Sequence, residues 1–250
     1  MTFKAIVDGD TLSDAIEPVS ALVDECKVNL LEDGIEIRAV DAANVGMVDV
    51  SLDAGAFESY DADGGLIGID LDRFEDVLSM AESGDLVHLF LNVETRKLEI
   101  AIDGLEYTLA CIDPESVRQE PDIPDLDLPA TFILEGKALG RAITAADLVG
   151  DHIAVIATAD SELVFEAEGD TDSVDVTLTK SDLIDVVQTP AEDAESLFSL
   201  DYLHDMERPI AADADVSLLV GDEFPAKLRY SRADGAVKVV NMLAPRIESE

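Results

Sequence analysis

The second half of this chain repeats the first, and that repetition limits its folds more than any other feature. Shifted by 127 to 129 residues, the halves match along their length. Gly9, Leu12, Ala15 and Ile16 fall on Gly136, Leu139, Ala142 and Ile143, and Val28 falls on Ile156. Ile35, Ile37 and Ala39 fall on Leu163, Phe165 and Ala167. Leu71, Asp72, Phe74, Asp76 and Val77 fall on Leu200, Asp201, Leu203, Asp205 and Met206, and Val87, Leu89 and Leu91 fall on Val216, Leu218 and Val220. Apolar periodicity recurs by chance in any single stretch. A nearly constant offset over a whole half reads instead as one folding unit written twice.

Within the first copy, Phe3 to Val7 alternates as a strand. Leu12, Ala15, Ile16, Val19, Leu22 and Val23 recur at helical spacing, predicting a helix of about four turns with a kink at Pro18. Val28 to Leu31 and Ile35 to Ala39 predict a hairpin with Asp33-Gly34 as its turn. Further strands are expected at Val45 to Leu52, Leu66 to Ile69, Leu86 to Asn92, Lys97 to Ile102 and Leu105 to Ile112. Asp70 or a neighbour should cap a second helix reaching about Ala81. Strands that adjoin one another point to antiparallel sheets with helices on one face. The fold class is α+β: two similar domains, each of antiparallel sheet plus two helices.

Between the copies lies a proline-rich run, Ile112 to Thr131, holding Pro114, Pro121, Pro124 and Pro129, four of the nine prolines in the chain. Proline removes a backbone donor and biases the residue before it away from helix, so this run reads as a semi-rigid spacer. The expected division is residues 1–112, a connector at 113–130, and residues 131–250. Ile123, Leu126 and Leu128 are apolar, which a purely solvated spacer would not need.

Nearly half the residues are apolar, so the chain should fold, yet 56 acids face 16 bases for a net charge of −40. Self-repulsion on that scale strains a compact state in dilute buffer. It fades at molar salt, where the Debye length is about 3 Å. The acids are spread along the chain with no acidic tail, which fits a protein of an extremely halophilic cell better than an acidic functional patch. No apolar run approaches membrane-spanning length and no signal pattern opens the chain, so a soluble, cytoplasmic protein with no membrane partner is expected. Cys26 and Cys111 are too few for a disulfide scaffold.

The search for chemistry returns little. No phosphate loop, dinucleotide turn, nucleophile elbow or HExxH helix is present. His88, His152 and His204 have no cysteine or second histidine at ligand spacing. Ser59, Asp61, Asp63, Gly64 and Asp70 approximate a calcium loop, but position 1 is not acidic and position 12 is not glutamate. The residues therefore predict a non-enzyme with no cofactor and no metal.

The end of the chain carries a more specific signal. Leu243-Ala244-Pro245-Arg246-Ile247-Glu248 resembles the tail of the sliding clamps of archaea and eukaryotes, the proliferating cell nuclear antigen family. So do Val40-Asp41-Ala42-Ala43-Asn44-Val45, Phe57 to Tyr60 followed by Ile69 to Asp72, and Leu197 to Leu203. The resemblance covers essentially the whole chain, and with the composition it implies a clamp of a halophilic archaeon. It implies a non-catalytic homotrimeric ring with the DNA clamp fold, helices lining the hole and strands outside. Such a ring encircles double-stranded DNA without regard to sequence. Through clamp-interacting peptides it tethers DNA polymerase, the clamp loader replication factor C, ligase and flap nuclease. A checkpoint-type clamp of the same fold is the alternative, and an unrecognised carboxylate enzyme a more distant one. Subunits would join through Leu105 to Ile112 of one and Val174 to Lys180 of the next, which would also hide two sheet edges.

The resemblance further implies a groove for partner peptides at Val40, Val45, Ile123, Pro124, Pro225, Met242, Leu243, Ala244 and Pro245. Core packing is the competing expectation for Val40, Val45 and Met242. Leu126 and Leu128 align less clearly, because the connector departs from the family between its prolines. The helix faces also depart from the family, whose clamps line the hole with several bases. Thr11 to Glu25 contains none, which leaves Arg73, Lys137, Arg141 and Arg208 as the DNA-facing set, with His204 beside the last and hydrated cations bridging elsewhere.

Overall fold

The computed structural model describes residues 2–119 and 126–246 and runs through one order of elements twice. The first pass is β1 (Phe3–Asp8), α1 (Gly9–Ser20), β2 (Glu25–Leu31), β3 (Gly34–Val40), β4 (Gly46–Asp53), β5 (Ser59–Ala62), β6 (Gly65–Asp70), α2 (Leu71–Leu78), β7 (Leu86–Asn92), β8 (Lys97–Ile102) and β9 (Leu105–Ala110). The second is β10 (Ala130–Glu135), α3 (Gly136–Ala146), β11 (His152–Ala157), β12 (Leu163–Glu168), β13 (Ser173–Leu178), β14 (Asp185–Gln188), β15 (Ala194–Ser199), α4 (Leu200–Glu207), β16 (Asp215–Val220), β17 (Ala226–Arg232) and β18 (Val237–Leu243). The chain forms two compact units. One takes residues 2–42, 47–119 and 231–239, the other 43–46, 126–230 and 240–246.

In the first unit one sheet has the order β5-β1-β7-β8-β9 and another runs β4-β3-β2-β6, every neighbour antiparallel. Strict alternation of buried and exposed residues along β1, β7 and β8 gives each strand one apolar face. Those faces meet the helices: Phe3, Leu12, Val28, Ile37, Phe74, Leu89 and Leu98 share one interior, and α1 packs against α2. In the second unit β14-β10-β16-β17 and β13-β12-β11-β15 repeat those two sheets, and α3 packs against α4.

The duplication extends to single hydrogen bonds. Gly9 N–H donates to Asp85 O at 2.9 Å, and Gly136 N–H to Ala214 O at 2.8 Å. Leu71 N–H donates to Asp24 O at 2.9 Å, and Leu200 N–H to Asp151 O at 3.0 Å. Each bond satisfies an orphan donor at a helix start. Gly136 is also required by close approach, since a Cβ there would lie 2.2 Å from Ala211 O. Gly136→Ala is therefore expected to cost about 1–3 kcal/mol through backbone displacement, read as a lowered midpoint in thermal unfolding at fixed salt.

Three local expectations change. Helix α1 continues unbroken through Pro18 to Ser20, because a proline in the last turn removes only the bond to the Asp14 carbonyl. The β2–β3 turn is Glu32-Asp33, since Leu31 pairs with Gly34. Gly34 opens β3 instead, at φ +149, where a Cβ would lie 2.3 Å from Leu52 O. Strand β5 has no clear sequence signal. It pairs with β1, and the Tyr60 hydroxyl lies 2.7 Å from Leu31 O and 2.6 Å from Gly34 O. Burial, with Asp33 nearby, pushes the Tyr60 phenol up to about 12.

The proline-rich run is anchored where it begins. Ile112 and Gly68 exchange backbone bonds, Arg96 pairs with Asp113 at 2.7 Å, and Val117 is buried. At the far end Leu128 is buried in the second unit, in reach of the Gly221 backbone. Glu120 to Asp125, and with them Ile123 and Pro124, lie outside the described residues.

Candidate functional site: basic helix positions and a C-terminal wall

The four basic positions all stand on or beside helices and are all exposed. Arg73 follows Asp70, whose carboxylate accepts from its N–H at 3.1 Å as the cap of α2 and approaches its guanidinium at 3.3 Å. Lys137 and Arg141 are four residues apart and share one face of α3. Arg208 ends α4 as its C-cap. Lys137 is paired with Glu135 at 2.5 Å, so two of the four charges are already offset by carboxylates. Among the described residues, Arg141 and Arg208 carry no ion pair, which leaves them the readiest to meet an external phosphate. His204 lies 3.7 Å from Asp147, between α4 and the end of α3. Beside it burial pushes the Glu207 carboxyl up, against the lowering influence of His204.

Helix α1 carries no base of its own, but the structure brings one to it from residue 232. Arg232 reaches Asp14 at 2.7 Å and Glu17 at 2.5 Å. Burial still wins at Asp14, whose carboxyl sits above its usual range despite the guanidinium beside it. This pairing spans more than two hundred residues, so no local pattern announces it.

The C-terminal candidates gather in the second unit. After β18 the chain makes two backbone bonds: Ala244 N–H donates to Val45 O at 2.9 Å, and Arg246 N–H donates to Leu197 O, on β15, at 2.7 Å. Val45, Met242, Ala244 and Pro245 are half-buried and present apolar surface, as does Pro225. Pro225 follows a loop pinned by buried Ser196, whose hydroxyl lies 2.9 Å from Gly221 O and 3.0 Å from Phe224 O. Phe224 beside it is 51 % exposed, a large apolar side chain that the sequence reading passed over. Leu243 is 0 % exposed and Val40, in the first unit, 7 %. Both are core residues here, as the packing alternative expected of Val40.

The residues of the calcium-loop pattern do not form a loop. Ser59 and Asp61 lie on β5, Asp63 and Gly64 in the turn, and Asp70 ends β6 as the α2 cap.

Residues 2–106 match the family described as proliferating cell nuclear antigen, N-terminal domain. The chain is 61% identical over 249 residues to the DNA polymerase sliding clamp of Haloarcula marismortui, covering 99% of this chain and 100% of that one. It is 59% identical to that of Natronomonas pharaonis with the same coverage. Among solved structures, A. fulgidus PCNA with the C-terminal region of FEN-1 bound superposes with a TM-score of 0.91 at 35% identity, covering 99% of this chain and 100% of that one. No helix among the described residues is long and apolar enough to cross a membrane.

Proposed function

Since the chain belongs to the proliferating cell nuclear antigen family of DNA polymerase sliding clamps, we propose that three copies close into a ring around double-stranded DNA. The family is non-catalytic, and the ring acts as a processivity factor in replication and repair. Full-length identity to clamps of halophilic archaea carries the reading. Its physical support is a matched pair of open edges: β9 ends one sheet of the first unit, and β13 ends one sheet of the second. Backbone donors and acceptors on such edges seek a partner strand. Pairing β9 of one copy with β13 of the next satisfies both and repeats around a closed threefold.

In this reading residues 1–112 and 131–250 are the two clamp domains, and 113–130 the connector between them. Arg73, Lys137, Arg141 and Arg208 face the DNA. Four positions per subunit make a thin basic lining, consistent with a ring that holds its template by topology, because phosphate attraction through counterion release fades in molar salt. Partner peptides dock on the surface made by Val45, Pro225, Met242, Ala244 and Pro245 over buried Leu243, and Val40, Ile123 and Pro124 are the remaining positions that the family resemblance assigns to the groove. DNA polymerase, replication factor C, ligase and flap nuclease are the partner classes, and the cytoplasm the compartment.

The test is synthesis on primed circular DNA with loader and ATP in high salt. Product length should increase severalfold with this protein, and a monomer that never lengthened product would overturn the reading. Reversing all four basic positions to Glu should cut stimulation severalfold at moderate salt and less in molar salt. Unchanged loading and stimulation across that range would remove these residues as the contact set.

A further inference from the structure

Both copies of the repeat present the same sheet face, and they treat it differently. In the first unit the register sets Phe90 on β7 between Lys4 on β1 and Glu99 on β8, with Thr108 on β9 beyond Glu99. The next row is Ile6, His88, Ala101 and Glu106. These side chains stand opposite the interior that their neighbours Leu89 and Leu98 share with the helices. Small Ala101 leaves a shallow concavity of about 350 Å³, walled by Phe90, His88, Glu99, Glu106 and Thr108. Phe90 is 44% exposed there, a large apolar side chain with nothing over it among the described residues.

In the second unit Leu219 stands between Thr131 and Lys227, and Ser217 between Ile133 and Arg229. Leu219 thus takes the place of Phe90, Lys227 that of Glu99 and Arg229 that of Ala101. Yet Leu219 is 8% exposed and Lys227 7%. The chain entering β10 passes on this side: a Cβ on Gly221, two residues beyond Leu219, would lie 3.1 Å from the buried Leu128 side chain. That stretch, Leu126-Asp127-Leu128, belongs to no helix or strand and carries an acid beside a face whose own charges are basic. We propose that the uncovered Phe90 face is a docking site for an extended segment of a partner protein, one that carries an apolar residue and an arginine two positions apart.

The charges of the face select that chemistry. Glu99 and Glu106 flank the floor made by Ala101, and neither is in an ion pair among the described residues. Lys4 lies beyond Phe90, in register with Asp61 on β5, and Lys97 lies one row further out, opposite Ala110. Residues two apart in an extended segment share one side and are about 7 Å apart, which matches the diagonal step from Phe90 to Ala101. An apolar residue then covers Phe90 while the arginine lies on Ala101 between two carboxylates, beside the ring. Exposed ion pairs contribute little alone and less in molar salt, so the apolar contact holds the segment and the carboxylates choose its charge. The site is a sheet face, so strand pairing at the β9 edge leaves it open, and it shares no residue with the C-terminal wall.

The experiment titrates the full-length protein, in about 1 M KCl, into two fluorescein-labelled peptides read by anisotropy. One is Leu-Ser-Arg-Ser-Leu between Gly-Ser flanks, and the other has Asp in place of Arg. The arginine peptide should bind at least about fivefold tighter than the aspartate peptide, and Phe90→Ala should weaken it by about tenfold. Glu99→Lys with Glu106→Lys should reverse the preference between the peptides. Glu192→Lys with Asp213→Lys makes the same change in net charge on exposed positions of the second unit and should leave affinity within about twofold. Ala244→Glu should bind the arginine peptide as the intact protein does. Unchanged binding by Phe90→Ala overturns the proposal. So does an equal loss in the Glu192/Asp213 pair, which would show attraction to bulk charge alone, and so does loss in Ala244→Glu, which would place the peptide on the C-terminal wall.

Discussion

Tyr107→Glu is expected to leave the protein monomeric, by blocking the proposed closure of three copies into a ring. Tyr107 stands opposite Ile100, on the face of β9 that turns toward the core, yet it is 39% exposed because no strand lies beyond it. In the proposed closure the neighbouring subunit's β13 covers this edge. Its Val174 and Val176, half-buried in the isolated chain, then share an apolar seam with Tyr107. An unpaired carboxylate enclosed there would cost several kcal/mol, repeated at each of the interfaces that closure needs. Light scattering in 2–3 M KCl should give the mass of one chain, with an unchanged far-ultraviolet spectrum. Polymerase product length should fall to the value without clamp. Tyr107→Phe, which keeps the ring and loses only the hydroxyl, should remain trimeric. A trimeric Tyr107→Glu protein would exclude closure through β9.

The second large effect comes from solvent. Moving the protein from about 3 M to about 0.1 M KCl should lower its unfolding midpoint by about 10 °C or more, equivalent to several kcal/mol for a chain of this size. The cause is arithmetic on charge: 56 acids against 16 bases, with Arg38, Arg73, Arg96, Lys137 and Arg232 already engaged by carboxylates. The remaining acids repel over a Debye length that grows from under 3 Å to about 10 Å as the salt is diluted. Sucrose, which strengthens burial without screening charge, should restore little of the loss. Full recovery in sucrose would show that repulsion is not the destabilising force.

Much of the fold was legible because duplication reads out twice. The Gly9–Gly136 and Leu71–Leu200 matches locate helix starts that the structure satisfies with equivalent carbonyls. Alternation along β7 and β8 is clean because each strand has one buried face. Strands β5 and β14 were not legible. Each has four residues of mixed polarity, too short for a period to show, and β5 is fixed by the Leu31 and Gly34 carbonyls that its Tyr60 hydroxyl reaches. Of the candidate site, exposure of the four bases followed from their helical positions. Their pairing did not, because Asp70 and Glu135 engage two of them through side-chain geometry. Arg232 could not be found at all from local pattern, since its partners are brought to it only by the completed fold. Leu243 shows the reverse failure: a residue carried into the groove by its motif belongs to the core, since motif resemblance transfers identity and not exposure.

Arg232 and its neighbours at 231–239 have a further consequence, for the order in which the protein is made. Residues 2–42 and 47–119 of the first unit leave the ribosome early, but that unit also includes residues 231–239. At typical synthesis rates the intervening residues occupy roughly ten seconds. Throughout that interval Asp14 and Glu17 wait without their guanidinium, and the hydrogen bond that Asp53 N–H donates to Ala236 O is unformed. The first half is therefore born as an acidic, incomplete body that the last tenth of the chain must close. A ribosome stalled before residue 231 would hold an unfinished first unit, however well the duplicated sequence suggests two independent halves.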